Sequence, residues 1–391
     1  MISLILMFLT LEIPSADLEH PAGNRSAEAS FHVFDDKLYM SWIETDGPKS
    51  GRLLFAVYDG ATWTKPVLAH QSDALFINWA DFPKLCVTDD MMMIAWPQML
   101  GKGTYDYGLY YRLSQDGGKT WDEARLLHED TSKAEHGFVS LAALGPKKIG
   151  ALWLDGRAMK GDHGHDHGSG SMQLRYREVG SDGMGPEMLI DDRTCECCST
   201  DLVVLNGKPT ASWRDRSMDE VRDVWVSHLK EDGWLQGAPI ANDNWKIHGC
   251  PVNGPALSAR GSKLAVAWFT AGSEPLVQVK LSDDGGSTFS RHEKFAKDVI
   301  GRVDIAWIDD QRVALTWLSS TGSSDQVNLA VVDANGGIQS FPPIAQNRSG
   351  RSGGVPRLAV LKDQLIIAHA DPSKDRIMLK KVAVASLKSA N

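Results

Sequence analysis

Short apolar runs, each closed by a large ring, recur along the whole chain. They are LYMSW ending at Trp42, MMMIAW at Trp96, IGALW at Trp153, PTASW at Trp213, LAVAW at Trp268, RVALTW at Trp317 and LIIAHA around His369. These anchors stand 49 to 60 residues apart. Runs this short, several alternating apolar with polar positions, predict half-buried antiparallel strands. A module repeating every ~40 to 60 residues and holding only short strands predicts the blades of a propeller rather than separate domains. Seven anchors predict seven blades in an all-β chain; six is the alternative, and it would require one repeat to be something else.

A second marker follows each of the first six anchors. Asp59-Gly60, Asp116-Gly117-Gly118, Asp182-Gly183, Asp232-Gly233, Asp284-Gly285-Gly286 and the stretch from Asp333 to Gly337 each pair an aspartate with glycine. Aspartate accepts local backbone N–H groups and glycine tolerates positive φ, so these read as tight hairpin turns. Each repeat then parses as strand A, strand B ending at the anchor, strand C, the turn, and strand D. Blades are expected to begin near residues 24, 78, 135, 195, 248, 300 and 350. The last repeat is one strand short, and N-terminal residues are expected to complete it, which removes an open sheet edge. Residues 24–391 therefore form one propeller. Residues 1–23 are either a signal remnant or the ring-closing strand: ISLILMFLTL is apolar and small residues follow at Ser15-Ala16, but a basic leader is missing.

Two turns match a longer pattern. Residues 114–121, SQDGGKTW, and 282–289, SDDGGSTF, both read S-x-D-x-G-x-T-aromatic. In these residues the chain resembles the Asp-box repeat proteins of the sialidase superfamily. The resemblance implies a propeller, six-bladed in most sialidases, and export to the periplasm or beyond. It also implies a carboxylate-binding arginine triad, a tyrosine nucleophile activated by glutamate, and an aspartate acid/base. The mechanism does not carry over. Leu11-Glu12-Ile13-Pro14 stands where the family has Phe-Arg-Ile-Pro, and all seven tyrosines lie in the first three blades. The segments CECC, WRDRS, EVRD, HGCPVNGP and GRVD are similar to bacterial sialidase-like proteins that share a CxCC motif.

The formal charge of −9 and the absence of a basic run argue against nucleic acid as partner. No stretch is long enough to span a bilayer. In a propeller the D-to-A and B-to-C connections share the face at the channel mouth, so chemistry is expected there and the Asp/Gly turns lie opposite. Asp81 and the pair Glu135-His136 are the candidates for proton transfer. Arg157, Arg214, Arg216, Arg302 and Arg351, with Asn253, are the candidates for binding an anionic sugar. The competing reading pairs each arginine with a nearby carboxylate such as Asp155, Asp215 or Asp304.

Four of the five cysteines fall at two adjacent mouth positions, Cys195, Cys197 and Cys198 opening the fourth blade and Cys250 opening the fifth. Three readings stay open. A disulfide could staple the two blades, the thiols with His248 or His136 could hold zinc or copper, or the group could be a redox dithiol. Cys86 reads as a core thiol. The loop with His163, His165 and His167 could capture a transition metal or be a solvated insertion. The function readings are thus a glycan-binding propeller with glycosidase chemistry, a metal protein, and a non-catalytic recognition module.

Overall fold

The computed structural model describes residues 13–159, 170–289, 291–296, 298–335 and 337–387; the apolar stretch 2–11 and His163, His165 and His167 lie outside them. Seven antiparallel sheets follow one another along the chain, one per repeat. The first comprises Ser26–Phe34, Lys37–Thr45, Gly51–Tyr58 and Val67–Ser72, in that spatial order. The inner strands of blades two to seven are Lys84–Val87, His136–Gly145, Asp201–Leu205, Ala256–Arg260, Val299–Trp307 and Arg357–Leu361. The molecule is a seven-bladed propeller. Among the described residues no helix is long and apolar enough to cross a membrane.

The ring is closed by the N-terminus. Ser15–Asp17 adds to Ile377–Ala383 as the outer strand of blade seven, with Ser15 opposite Val382 and Asp17 opposite Lys380. The seam is reinforced by the Leu18 N–H to Leu379 O bond at 2.9 Å and by the Lys380–Asp17 ion pair at 2.7 Å.

The core is divided among the blade interfaces. Each of seven apolar clusters straddles two neighbouring blades, from Trp42 and Met40 against Ile366 and Leu379 at the seam to Trp268 against Leu205 and Val224 between blades four and five. Trp42, Trp96, Trp153, Trp213 and Trp268 are fully buried in these wedges. Each indole N–H still finds an acceptor: Glu44, Gln98, Asp155, Asp191 and Asp243 respectively, at 2.7 to 3.2 Å. A buried indole needs such a partner. Asp155 and Asp191 therefore serve the scaffold.

The two S-x-D-x-G-x-T turns have the same hydrogen-bond pattern. Asp116 accepts from the Ser114 hydroxyl, the Thr120 N–H and the Thr120 hydroxyl at 2.7 to 2.9 Å, and Asp284 does the same with Ser282 and Thr288 at 2.6 to 2.9 Å. Both lie between the third and fourth strands of their blades, on the face opposite the inner-strand starts.

Inner strands of blades one, three and six share a distortion near their starts. Their pairing register slips between Ala27 and Ser30, Gly137 and Ser140, and Gly301 and Asp304. At each slip a non-glycine residue takes positive φ: Glu28 at 60°, Phe138 at 55° and Arg302 at 54°. Bulges of this kind re-aim a side chain at the rim of a closed sheet, at a cost in backbone strain. Polar side chains of the preceding blade brace two of them. Asp81 Oδ1 accepts the Phe138 N–H at 2.8 Å, and Asn253 Oδ1 accepts the Arg302 N–H at 2.7 Å.

Candidate functional site at the channel mouth

The segments that lead into the inner strands meet around the mouth of the channel. Asp81 is completely buried there, and its Oδ2 carries no hydrogen bond. A Cβ at Gly137 would collide with this oxygen and with the Tyr107 hydroxyl, so glycine is what lets the two groups approach. Burial raises the Asp81 carboxyl to about 7, against the opposing pull of the Phe138 N–H and Lys84.

Tyr107, close to Asp81, binds a second acid. Its hydroxyl donates to Glu135 Oε1 at 2.9 Å, and its ring stacks on Phe76 with centroids 3.8 Å apart. Glu135 is only half-buried, so it is the member of the trio that solvent or a ligand can reach. Desolvation moves its carboxyl up to about 8, with the Tyr107 hydrogen bond opposing and the Asp81 and Glu196 charges adding to the rise. At neutral pH Glu135 is mostly protonated while Asp81 is near its midpoint, so this pair of carboxyls can accept and return protons. Tyr105 is half-exposed beside them, within electrostatic reach of Glu135, Cys250, Cys197 and Arg351.

His136 does not join this group. Consecutive residues of extended chain face opposite sides, so Glu135 meets the mouth while His136 turns into the interior. There its Nε2 lies 3.1 Å from Asp130 and 3.5 Å from Asp155, and its ring stacks on His128 at 3.8 Å. The imidazole expected near the cysteines is thus held by carboxylates.

Four of the five candidate arginines are committed to internal partners. Arg214 is buried, stacks on Trp245, and donates to the carbonyls of Asn253, Arg222 and Phe269 at 2.6 to 3.0 Å. Arg157 grips Asp155 through two bonds of 2.7 Å and pairs with Glu187 at 2.9 Å. Arg216 binds Glu196 and Glu220 rather than Asp215. Arg302 stacks over Trp79 at 4.5 Å and donates to the Gly350 and Gly354 carbonyls at 2.9 Å, leaving Asp304 to accept the Ile305 and Leu358 N–H groups. Asn253 is occupied as well, since its amide donates to Pro251 O and Ile300 O at 3.1 Å. Arg351 alone of the five stands exposed on the rim.

The cysteine segment forms a compact group of free thiols. Cys195 Sγ lies 3.4 Å from Cys198 Sγ and 3.9 Å from Cys197 Sγ, and Cys250 on the next blade interacts with the Cys197 thiol. None of these is a disulfide, in which the sulfurs would be about 2.05 Å apart. Arg222 donates to Cys195 Sγ at 3.2 Å, and the Asn253 N–H reaches Cys198 Sγ at 3.4 Å. Burial works against ionising Cys195, yet the neighbouring thiols of Cys197 and Cys198 and the Arg222 charge outweigh it and hold that group well below the ordinary thiol range. His248 is exposed beside Cys250.

A cavity of about 250 Å³ adjoins the mouth between blades one and seven, lined in part by Trp79, Phe82, Glu28, His369 and Arg25. Glu28 and His369 are both buried there, and Glu28 Oε2 and His369 Nε2 have no partner. Desolvation and the Asp81 charge push the Glu28 carboxyl well above its usual range.

No protein-family model matches the chain, and no curated protein does. Similar folds are found among solved structures. A polysaccharide lyase of family 25, an ulvan lyase bound to -[GlcA(1-4)Rha3S]-, aligns over 94% of this chain and 96% of its own with TM-score 0.58 and 11% identity. A protein of unknown function from Dyadobacter fermentans aligns over 96% and 98% with TM-score 0.54 and 14% identity. The α-L-arabinanase of Penicillium chrysogenum, complexed with arabinobiose, aligns over 95% and 100% with TM-score 0.53 and 11% identity. At such identities the likeness is one of fold.

Sequence reasoning missed Tyr107, Tyr105 and Glu28. Superposing the repeats would have flagged Glu28, because SAEAS and VIGRVD share the bulge that also places Arg302. It also overlooked that Cys195 and Cys198 are themselves a C-x-x-C pair.

Proposed function

We propose that the protein binds an acidic polysaccharide across the mouth of its propeller and cleaves a glycosidic bond there, with Glu135 as the proton donor. The observation that carries this reading is the Tyr107 hydroxyl donating to a half-exposed Glu135 whose carboxyl titrates at about 8. At neutral pH Glu135 holds the proton that a leaving glycosidic oxygen needs. Tyr107 lies behind it and fixes the carboxyl with its hydrogen bond. Trp79 and Tyr105 offer faces on which a sugar ring can stack, and the exposed Arg351 and Arg25 supply positive charge at the rim of an acidic protein. The solved neighbours that act on polysaccharides support the same reading. A polymer of this kind is met outside the cytoplasm, so export belongs to the proposal.

The commitment of Arg157, Arg214, Arg216 and Arg302 to internal partners weighs against a sialidase-type carboxylate clamp. The test is a panel of uronate-containing, sulfated and neutral polysaccharides, followed by reducing-end release and by absorbance of unsaturated products, which separate hydrolysis from elimination. Wild-type protein is expected to cleave one acidic polymer, and Glu135→Gln to lose about 100-fold or more of that activity while keeping its fold. Binding to a polymer without cleavage would leave a recognition module in place of an enzyme.

A further inference from the structure

We propose that Cys195, Cys197 and Cys198 form a site for a thiophilic d10 ion, Cu(I) or Zn(II). The inference is independent of the polysaccharide reading.

The spacing of the sulfurs is the first argument. Tetrahedral zinc with bonds of about 2.3 Å holds its sulfurs about 3.8 Å apart, and a three-coordinate ion with similar bonds holds them slightly further. The observed separations of 3.4 Å and 3.9 Å from Cys195 bracket the tetrahedral value and approach the trigonal one, and the three sulfurs all lie within 4.8 Å of one another. A disulfide between any two would require them to move together by more than an ångström.

The surroundings are the second. Two of the sulfurs already accept N–H groups, from Arg222 and from the Asn253 backbone, as metal-bound thiolates do. The Arg222 cation offsets thiolate charge that a buried site could not otherwise hold. Glu196, the carboxylate within the motif, is tied to Arg216 and Arg222 and is not free to coordinate. The donor set is therefore sulfur alone, which selects soft or borderline ions over magnesium or calcium. Cys195 and Cys198 are buried while Cys197 is half-exposed and Cys250 exposed, so an ion can enter from the mouth.

A redox dithiol built on Cys195 and Cys198 is the competing chemistry. It gives no role to Cys197, whose Sγ lies 3.9 Å from Cys195 Sγ in the same cluster.

The experiment uses the full chain without a histidine tag, purified anaerobically and fully reduced, with thiols counted in denaturant. It is loaded separately with Cu(I), Zn(II) and Co(II), and affinity is measured by competition with chromophoric chelators. One equivalent per chain is expected, with a thiolate-to-Co(II) charge-transfer band in the near ultraviolet. Cys197→Ser is expected to weaken both physiological ions about 100-fold or more. Cys250→Ser, outside the cluster of three sulfurs, is expected to leave Cu(I) affinity unchanged. Cys86→Ala, remote in the core, is expected to change neither. Reduced wild-type protein that retains no ion would overturn the proposal. So would a Cys195–Cys198 disulfide in protein isolated without reductant, if its reduced form also retains none; that result would assign the pair to redox chemistry.

Discussion

The Tyr107 hydroxyl donates to Oε1 of Glu135 at 2.9 Å, and this bond tempers the acidity of a half-buried carboxyl at the mouth. Because the phenol stabilises the charged form of Glu135, it opposes the rise that burial imposes. Tyr107→Phe should therefore move the basic limb of the kcat/KM profile upward from its wild-type position near 8. A profile that stays in place would show that Glu135 is not the titrating acid.

Asp81 makes a stability prediction with a definite sign. Its folded carboxyl titrates at about 7, so the folded protein keeps a proton that the unfolded chain releases near 4. Folding then takes up a proton between those values, and stability falls as pH rises through the window. Asp81→Asn keeps the oxygen that accepts the Phe138 N–H and removes the titration. Its melting midpoint should exceed that of wild type at about pH 8 and converge with it near pH 4 to 5.

Asp155 has the opposite sign. Desolvation opposes its ionisation, but Arg157, the Trp153 indole and His136 overcome this and lower it to about 2. Its contribution is present above the unfolded value near 4 and is lost as pH falls through 2. Asp155→Asn should flatten the acid limb of stability and lower the midpoint at neutral pH; thermal melts from about pH 2 to 7 read both effects.

Arg214 separates a scaffold role from a ligand-binding one. Removing its guanidinium leaves three buried carbonyls without donors, so Arg214→Met should cost about 3 kcal/mol or more in denaturant unfolding. A variant of unchanged stability that bound acidic glycan more weakly would restore the sequence-based role.

Much of the architecture was legible because it rests on periodicity. The anchors from Trp42 to Trp317 are large rings buried between blades, and wedge filling is a demand that every repeat must meet in the same way. The site was less legible, since it depends on which way single side chains turn. Glu135 and His136 are neighbours in sequence, yet one faces the mouth and the other is held between Asp130 and Asp155. The arginines of WRDRS advertise anion binding by their residue type, but Arg214 and Arg216 were already taken by carbonyls and glutamates from outside that motif. Grouping of the cysteines was visible from spacing; the Arg222 contact to Cys195, which bears on their charge, was not.

The seam strand has a consequence for biosynthesis. Ser15–Asp17 is among the earliest translated parts of the fold, whereas its partner Ile377–Ala383 is among the last. Until Ile377–Ala383 has been made, the opening segment has no strand to pair with, and the blades can stack only as an incomplete arc. Circularisation is therefore a long-range event of folding, joining segments more than 350 residues apart.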